Sequence, residues 1–174
     1  MAQNRFTQPL KSLNNDIRAF VSFVNTTNRN VCLLWLDYKG KRVRYGDIPP
    51  GRGLLINTYV THPWIAYDAV TSYPLLFNGE MAFFPQEQRD NQVFSEDNRE
   101  LVSIHIPVYS LYRRCLEVVY LHIRPDVVNA ENIPTNIKAI LTKMQPVSDF
   151  TDYPDFHRMH YENIANIDNM GPPE

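Results

Sequence analysis

The sequence predicts a mainly β protein with a small α domain: a seven-stranded β-sandwich, a short helical domain and a C-terminal tail with a weak helix. Two observations support this prediction. From about residue 20 to residue 107, short segments rich in β-branched and aromatic residues alternate with turn residues, as in sandwiches. From residue 108 onwards, apolar residues recur every three or four positions, which is the period of a helix. We therefore expect a flexible segment at 1–19, a sandwich at 20–108, a helical domain at 109–145 and a tail at 146–174.

Five predicted strands make up the first half of the sandwich: residues 20–25, 31–37, 41–45, 54–59 and 64–67. Tyr38-Lys39-Gly40 is a turn between the second and third strands. Pro49-Pro50-Gly51-Arg52-Gly53 must be a loop, because its prolines remove backbone donors and its glycines accept positive φ angles. Thr61-His62-Pro63 forms a corner before the fifth strand.

The second half of the sandwich contains the clearest turn in the chain. Asn78-Gly79 favours a two-residue type I′ hairpin turn, here between strands at 75–77 and 80–84. Residues 86–100 are charged and rich in amides, which predicts a solvated loop. Residues 101–106 alternate between apolar and polar types, as a final strand would.

Two helices are predicted after the sandwich. Ser110 is a suitable N-cap for a helix from Leu111 to Ile123, which carries one apolar stripe and ends at Arg124-Pro125. A second helix runs from Ile133 to Met144, and weaker helical spacing follows in the tail at Phe156, His160, Ile164 and Ile167. A region below roughly 40 residues rarely folds without a metal, disulfides or a partner. The helices therefore either pack back on the sandwich or present their apolar faces to another protein.

The composition excludes several classes of protein. With 19 acidic and 17 basic residues the net charge is −2, so no overall cationic field attracts nucleic acid or an anionic membrane. No apolar run is long enough to cross a bilayer. The two cysteines, Cys32 and Cys115, are too few for a disulfide framework or a four-thiolate zinc site. We therefore expect a protein of a reducing compartment, the cytoplasm and the nucleus, with no nucleic-acid or membrane partner.

No set of residues in the sequence predicts catalysis, a metal or a cofactor. His157 and His160 have the i, i+3 spacing of helical ligands, but no second pair of ligands accompanies them. The chain lacks a Gly-x-Ser-x-Gly elbow, and its proline-glycine loop lacks the Lys-Ser/Thr of a P-loop. A hydrolase that uses His62 is an alternative, but no nucleophile accompanies that histidine. We expect a protein that is not an enzyme.

One cluster of side chains does predict a binding site. Trp35, Tyr45, Thr58, His62 and Trp64 lie on four adjoining strand segments or at their ends. In one interpretation, both tryptophans simply fill the sandwich core. In the other, the cluster forms a small aromatic-walled pocket with two hydrogen-bonding groups at its floor, suited to a compact ring that bears one hydroxyl. A ligand without the hydroxyl would leave buried polar groups unpaired, at about 1–3 kcal/mol each.

These residues lie in motifs that resemble the von Hippel-Lindau family. The motifs are Val31 to Gly40, Tyr45 to Gly53, Ile56 to Tyr59 with His62-Pro63-Trp64, and Ile106 to Val119. The match runs without gaps from Trp35 to Ala69 and from Ile106 to Pro125. The resemblance implies a β-sandwich and a small helical domain that together act as the substrate-recognition subunit of a cullin-RING ubiquitin ligase, without catalysis of their own.

The resemblance also implies a ligand. In the family, a hydroxyproline of hypoxia-inducible factor α enters the pocket, which targets that protein for proteasomal degradation in an oxygen-sensing step. The hydroxyl would bond Thr58 and His62, and β-augmentation would hold the extended peptide. The implied substrate-binding residues are Trp35, Tyr45, Ile56, Asn57, Thr58, Tyr59, His62 and Trp64. The sequence departs from the family at Thr58, Asn57, Leu54 and Gly46, where Ser, His, Arg and Pro are usual.

The helix that begins at Leu111 is similar to the box with which the family binds elongin C. The resemblance implies that elongin C, with elongin B, contacts Leu111, Arg114, Cys115, Val118, Val119 and His122. Cullin-2 and its RING-box subunit would complete the ligase, selected by residues 124–128 or by residues 132–137. The alternative is a β-sandwich that binds peptides or acts as a scaffold without a ligase role.

Overall fold

A computed structural model describes residues 9–89, 91–122, 133–144, 148–154 and 161–163. Two helices are present in the described residues, α1 (Leu111–His122) and α2 (Thr135–Lys143). The strands are β1 (Arg18–Asn25), β2 (Val31–Leu36), β3 (Arg42–Ile48), β4 (Arg52–Tyr59), β5 (Trp64–Asp68), β6 (Leu76–Phe77), β7 (Gln88–Arg89), β8 (Gln92–Val93), β9 (Glu100–His105), β10 (Thr151–Asp152) and β11 (Tyr161–Asn163).

The strands form two main sheets. The first has the order β11-β4-β1-β9-β6, and the second has the order β10-β3-β2-β5. In the first sheet β1 lies antiparallel to β4 and parallel to β9. In the second sheet β2 lies between β3 and β5 and is antiparallel to both. The predicted fold class, mainly β with a sandwich and a small helical part, is confirmed.

The core lies between the sheets and is dominated by aromatic rings. Phe23 is fully buried, and its ring lies 5.3 Å from Trp64, 5.4 Å from Phe77 and 5.5 Å from Phe83. Apolar side chains from six strands complete this cluster. Aromatic pairs at these spacings stabilise a core beyond the area that they bury, so the strands that carry the pocket described below are firmly held.

The Asn78-Gly79 turn is confirmed, but the strand predicted after it is wrong. Asn78 and Gly79 both have positive φ angles, 47° and 98°, as a type I′ turn requires. Residues 80–84 then form only isolated bridges, at Glu80 and Phe83, because Phe83 turns to pair with Trp64 instead of continuing along β6. The predicted loop at 86–100 also contains a short hairpin, β7–β8.

Two further predictions need correction. The ordered structure begins before residue 20. Strand β1 begins at Arg18, and the buried Ser12 hydroxyl donates a hydrogen bond to the Leu36 carbonyl. Residues 161–163 form β11 on β4, not part of a tail helix. The edges of β3 and β4 offered unpaired backbone groups to the tail, which helical periodicity alone does not reveal. Phe156, His157, His160, Ile164 and Ile167 lie outside the described residues.

The helices pack back on the sandwich through α1 and through Met144, which follows α2. Leu116, Leu141 and Met144 form a second apolar cluster with Tyr73 of the sandwich. The Ser110 hydroxyl accepts a 3.3 Å hydrogen bond from the Arg113 backbone N–H, so the predicted N-cap is confirmed. In the described part of the chain, neither helix is long and apolar enough to cross a membrane.

Candidate functional site

A cavity of about 340 Å³ opens at one end of the sandwich. Its walls include seven of the eight predicted substrate-binding residues, which are Trp35, Tyr45, Asn57, Thr58, Tyr59, His62 and Trp64. Strands β2, β3, β4 and β5 and the corner before β5 each deliver at least one of them. The structure therefore combines both interpretations of the tryptophans: Trp64 is 1% exposed and belongs to the core, yet it also lines the cavity.

Two buried polar side chains, Thr58 and His62, lie in this cavity. The Trp64 indole N–H donates to the Thr58 hydroxyl at 3.3 Å. That bond occupies an acceptor position of the hydroxyl and leaves its own proton to be donated. The Tyr38 hydroxyl lies 3.3 Å from Nε2 of His62. The cavity thus combines a donor and an imidazole between aromatic rings.

The neutral form of the His62 imidazole is favoured by burial. Burial lowers the pKa of His62 below its ordinary value of 6.5, and a hydrogen bond with the Asn14 backbone opposes this effect only in part. A neutral imidazole carries one donor and one acceptor nitrogen. A ligand hydroxyl that donates to Nε2 would therefore take the place of the Tyr38 hydroxyl, which lies 3.3 Å from that nitrogen.

The aromatic walls are fixed from behind. The Trp35 indole N–H donates to the Ser12 hydroxyl at 2.7 Å, and that hydroxyl donates to the Leu36 carbonyl at 2.6 Å. The Trp35 ring stacks on His62 at 5.0 Å. On the other side, Tyr45 meets Trp64 edge to face at 5.0 Å. Because its polar edge is already bonded, Trp35 presents an apolar face to the cavity.

Not every predicted substrate-binding residue lies at the cavity. Ile56 is buried in the core instead, although it lies on the same face of β4 as Thr58, which lines the cavity. Asn57 is exposed and its amide donates to the Glu96 carboxylate at 3.0 Å. The Ile56 side chain therefore does not belong to the described lining of the cavity.

Three residues of the cavity wall were missed by the sequence reasoning: Arg18, Tyr38 and Tyr153. Tyr38 was assigned only to a turn, although it stands inside a motif that carries the family resemblance. Arg18 precedes the predicted start of the sandwich. Tyr153 belongs to the tail, and no local pattern connects it with the strands of the pocket.

The exposed side of α1 forms a second candidate surface. Leu111 is 80% exposed and Val118 is 50% exposed, and Arg114, Cys115 and His122 are exposed beside them. Leu121 and Tyr112, which were not predicted, extend the same exposed side of the helix. Val119 differs from the other predicted members because it packs partly against the cluster around Leu116. Five of the six predicted residues are therefore open to solvent in this chain.

The described residues contain no group of three or more His, Cys, Asp or Glu side chains that could hold a metal ion. Cys32 is buried, and burial, with the nearby Asp47 carboxylate, raises the pKa of its thiol to about 12. Cys115 is exposed on α1. Neither cysteine lies among the residues that line the cavity.

Comparisons with known proteins cover the strands that build the cavity. Residues 10–91 match the family model described as the VHL beta domain. The chain is also 29% identical over 110 residues to Protein Vhl of Drosophila melanogaster, an alignment that covers 59% of this chain and 61% of that protein. The chain therefore spans about three fifths of that relative. The family match includes every cavity residue except Tyr153 and ends before α1.

Proposed function

Because this chain carries the β domain of the von Hippel-Lindau family, as its motifs predicted, we propose that it is the non-catalytic substrate receptor of a cullin-RING ubiquitin ligase. Its substrate would be prolyl-hydroxylated hypoxia-inducible factor α, bound in the cytoplasm and nucleus and thereby directed to degradation. The observation that carries the proposal is the aromatic cavity in which Thr58 and His62 are buried.

The chemistry of the cavity favours a small ring with one hydroxyl. The Thr58 hydroxyl retains a proton to donate, and the neutral His62 ring can accept one, so a ligand hydroxyl can be bonded by both. A proline without the hydroxyl would leave the buried Thr58 proton without its ligand partner, at about 1–3 kcal/mol. The same logic gives strong discrimination in other sites that hydrogen-bond a substrate hydroxyl.

The strand edge beside the cavity offers a place for an extended peptide. On its outer side, β4 pairs with β11 only at residues 52–54, and no other strand in the described residues pairs with β4 there. Residues 57–59 of β4, which line the cavity, lie beyond that pairing. Main-chain hydrogen bonds to such an edge supply affinity, while the cavity supplies selectivity.

The exposed side of α1 fits the proposed elongin C contact. Leu111, Cys115 and Val118 are apolar or weakly polar side chains that water covers in the free chain. Desolvated anchors of this kind dominate the energy of protein interfaces. Elongin B would join through elongin C, and cullin-2 with its RING-box subunit would complete the ligase.

The test compares two peptides from a hypoxia-inducible factor α subunit that differ in a single proline hydroxyl. We expect the chain, co-purified with elongins B and C, to prefer the hydroxylated peptide by at least about 30-fold. His62→Ala should remove that preference, whereas His105→Ala, on β9 and outside the cavity lining, should retain it. A preference that survives His62→Ala would contradict the assignment of the pocket.

A second candidate function is a peptide-binding sandwich without a ligase role. The end of the family match at residue 91, before α1, favours keeping this candidate. Co-purification separates the two functions: a chain that binds the hydroxylated peptide but never retains elongin C is a binding module only.

A further inference from the structure

One segment of the tail lies at the pocket, although no sequence pattern predicted it there. Residues 148–154, here called the tail strap, include β10, which adds to β3 in parallel with Thr151 opposite Val43 and Asp152 opposite Arg44. The Tyr153 amide continues this pairing with a 2.8 Å hydrogen bond to the Arg44 carbonyl. The strap thus closes the edge of the second sheet next to the cavity.

Side chains anchor the tail strap on both sides of this pairing. Asp149 accepts two hydrogen bonds from the Arg42 guanidinium, at 2.7 and 3.0 Å. The Arg44 guanidinium lies 5.2 Å from the Phe150 ring centre and 3.7 Å from Asp152. Because each contact is partly exposed, it contributes only a small stabilising energy by itself. Together the contacts hold the tail strap against β3.

The consequence of this docking is the position of the Tyr153 ring. It stacks on Tyr45 with ring centres 4.1 Å apart and planes 28° apart, and it lines the cavity. The cavity has a volume of about 340 Å³ when Tyr153 is counted among its walls. The Tyr153 ring therefore borders this space and does not fill it. Tyr45 in turn stands against Trp64, which makes a row of three aromatic rings from core to surface.

We propose that Tyr153 is a specificity-determining residue of the binding pocket, an outer aromatic wall that the tail strap delivers to the bound ring and its flanking peptide. This inference rests on the proposed function and extends it to a residue outside the β domain. Because β10 occupies the β3 edge at residues 43–44, a ligand peptide cannot pair with β3 at those two residues.

The experiment measures the affinity of the hydroxylated peptide for the full chain with elongins bound. We expect Tyr153→Ala to weaken binding about 5- to 10-fold, the size of a lost aromatic contact, and Tyr153→Phe to stay within about 2-fold of wild type because the ring is kept. Phe150→Ala is the matched control, since it removes another aromatic ring of the strap that does not line the cavity. It should cost less than Tyr153→Ala.

Two results would overturn the inference while leaving the proposed function intact. Unchanged affinity in Tyr153→Ala would mean that the ring only covers Tyr45. Tighter binding in Tyr153→Ala would mean that the strap competes with the ligand. If instead the wild-type chain shows no preference for the hydroxylated peptide, the proposed function itself fails.

A ligand-free measurement tests Tyr153 even in that last case. Trp35 and Trp64 are the only tryptophans of the chain, and both line the cavity. Removal of an outer wall should increase quenching of their fluorescence by acrylamide in Tyr153→Ala but not in Tyr153→Phe. Equal quenching in all three proteins would show that Tyr153 does not shield the cavity in solution.

Discussion

The aromatic pocket and the exposed side of α1 are built in opposite ways. The pocket gathers side chains from several strands around a core in which Phe23 and Trp64 are fully buried, and the indole N–H groups of Trp35 and Trp64 are hydrogen-bonded before any ligand arrives. The α1 surface comes from one helix, and its anchor Leu111 is 80% exposed. Behind that helix, the described part of the chain contributes four buried residues to the second apolar cluster, one of them Tyr73 from the sandwich.

This difference indicates two ways of binding. The pocket is pre-organised, so binding requires little further ordering of the protein and the associated loss of affinity is small. Selectivity comes from buried polar groups that need a hydrogen-bond partner. The α1 surface gains its energy from apolar area that a partner removes from water. We therefore expect changes in the sandwich core to affect the fold most, and changes on α1 to affect association.

The largest expected effect follows from Phe23→Ala in the sandwich core. Because Phe23 is fully buried against Trp64, Phe77 and Phe83, its removal should lower the free energy of unfolding by about 3–5 kcal/mol. Urea unfolding followed by tryptophan fluorescence measures the change. Leu101→Ala, on the exposed face of β9, is the control and should shift it by less than about 0.5 kcal/mol. Similar losses in both variants would contradict the placement of the core.

The next largest effect concerns the contact between the sandwich and α1. Arg29 of the sandwich pairs with Asp68 at 2.8 Å and also with Glu117 of α1, and both carboxylates are buried. Arg29→Met leaves these buried carboxylates short of a partner, which should cost about 3 kcal/mol and appear as faster hydrogen exchange in α1. Arg42→Met, which loses the exposed Asp149 pair and a 3.3 Å hydrogen bond to the Tyr67 hydroxyl, should cost no more than about 1 kcal/mol.

A smaller effect, confined to association, is expected from Cys115→Asp on the exposed side of α1. A carboxylate desolvated in an apolar interface should weaken elongin C binding by at least about 30-fold, or about 2 kcal/mol. Cys115 is exposed in the free chain, so the midpoint of urea unfolding should not move. Co-purification with elongins reports the first result and denaturation the second. A variant that keeps full elongin binding would remove α1 from the proposed interface.

The smallest effect is a pH dependence that originates in His62. Its pKa is lowered in the folded chain from 6.5 by burial, so the unfolded state takes up the proton first as the pH falls. Stability from this group is therefore complete above pH 6.5 and is lost as the pH drops below 6.5 towards the lowered value. Preference for the hydroxylated peptide should fall at lower pH, as the pH passes below the lowered pKa of His62 in the folded chain, because protonation removes the acceptor. His62→Gln should remove the part of the pH dependence of the melting temperature that His62 causes. If the melting temperature of the variant depends on pH as that of the wild type does, the prediction is wrong.

Local patterns were sufficient for most of the fold. Turn residues such as Asn78-Gly79 and the N-cap Ser110 act within a few positions, so a single sequence reveals them. Residues 80–84 have the composition of a strand but are not one, because strand formation needs a partner edge and Phe83 pairs with Trp64 alone. Alternation along β4 places Ile56 and Thr58 on one face, and only the tertiary structure separates Ile56 in the core from Thr58 at the cavity.

By itself, the sequence determined the sandwich, the two helices and the convergence of Trp35, Thr58 and His62, because periodicity, turn chemistry and motif resemblance are properties of neighbouring residues. Only the tertiary structure decided that the tail would add strands to β3 and β4 and bring Tyr153 to the cavity. The physical reason is that an edge strand offers hydrogen-bonding groups to any segment that reaches it. Which segment does so depends on how the whole chain folds back, and no local pattern in the tail records it.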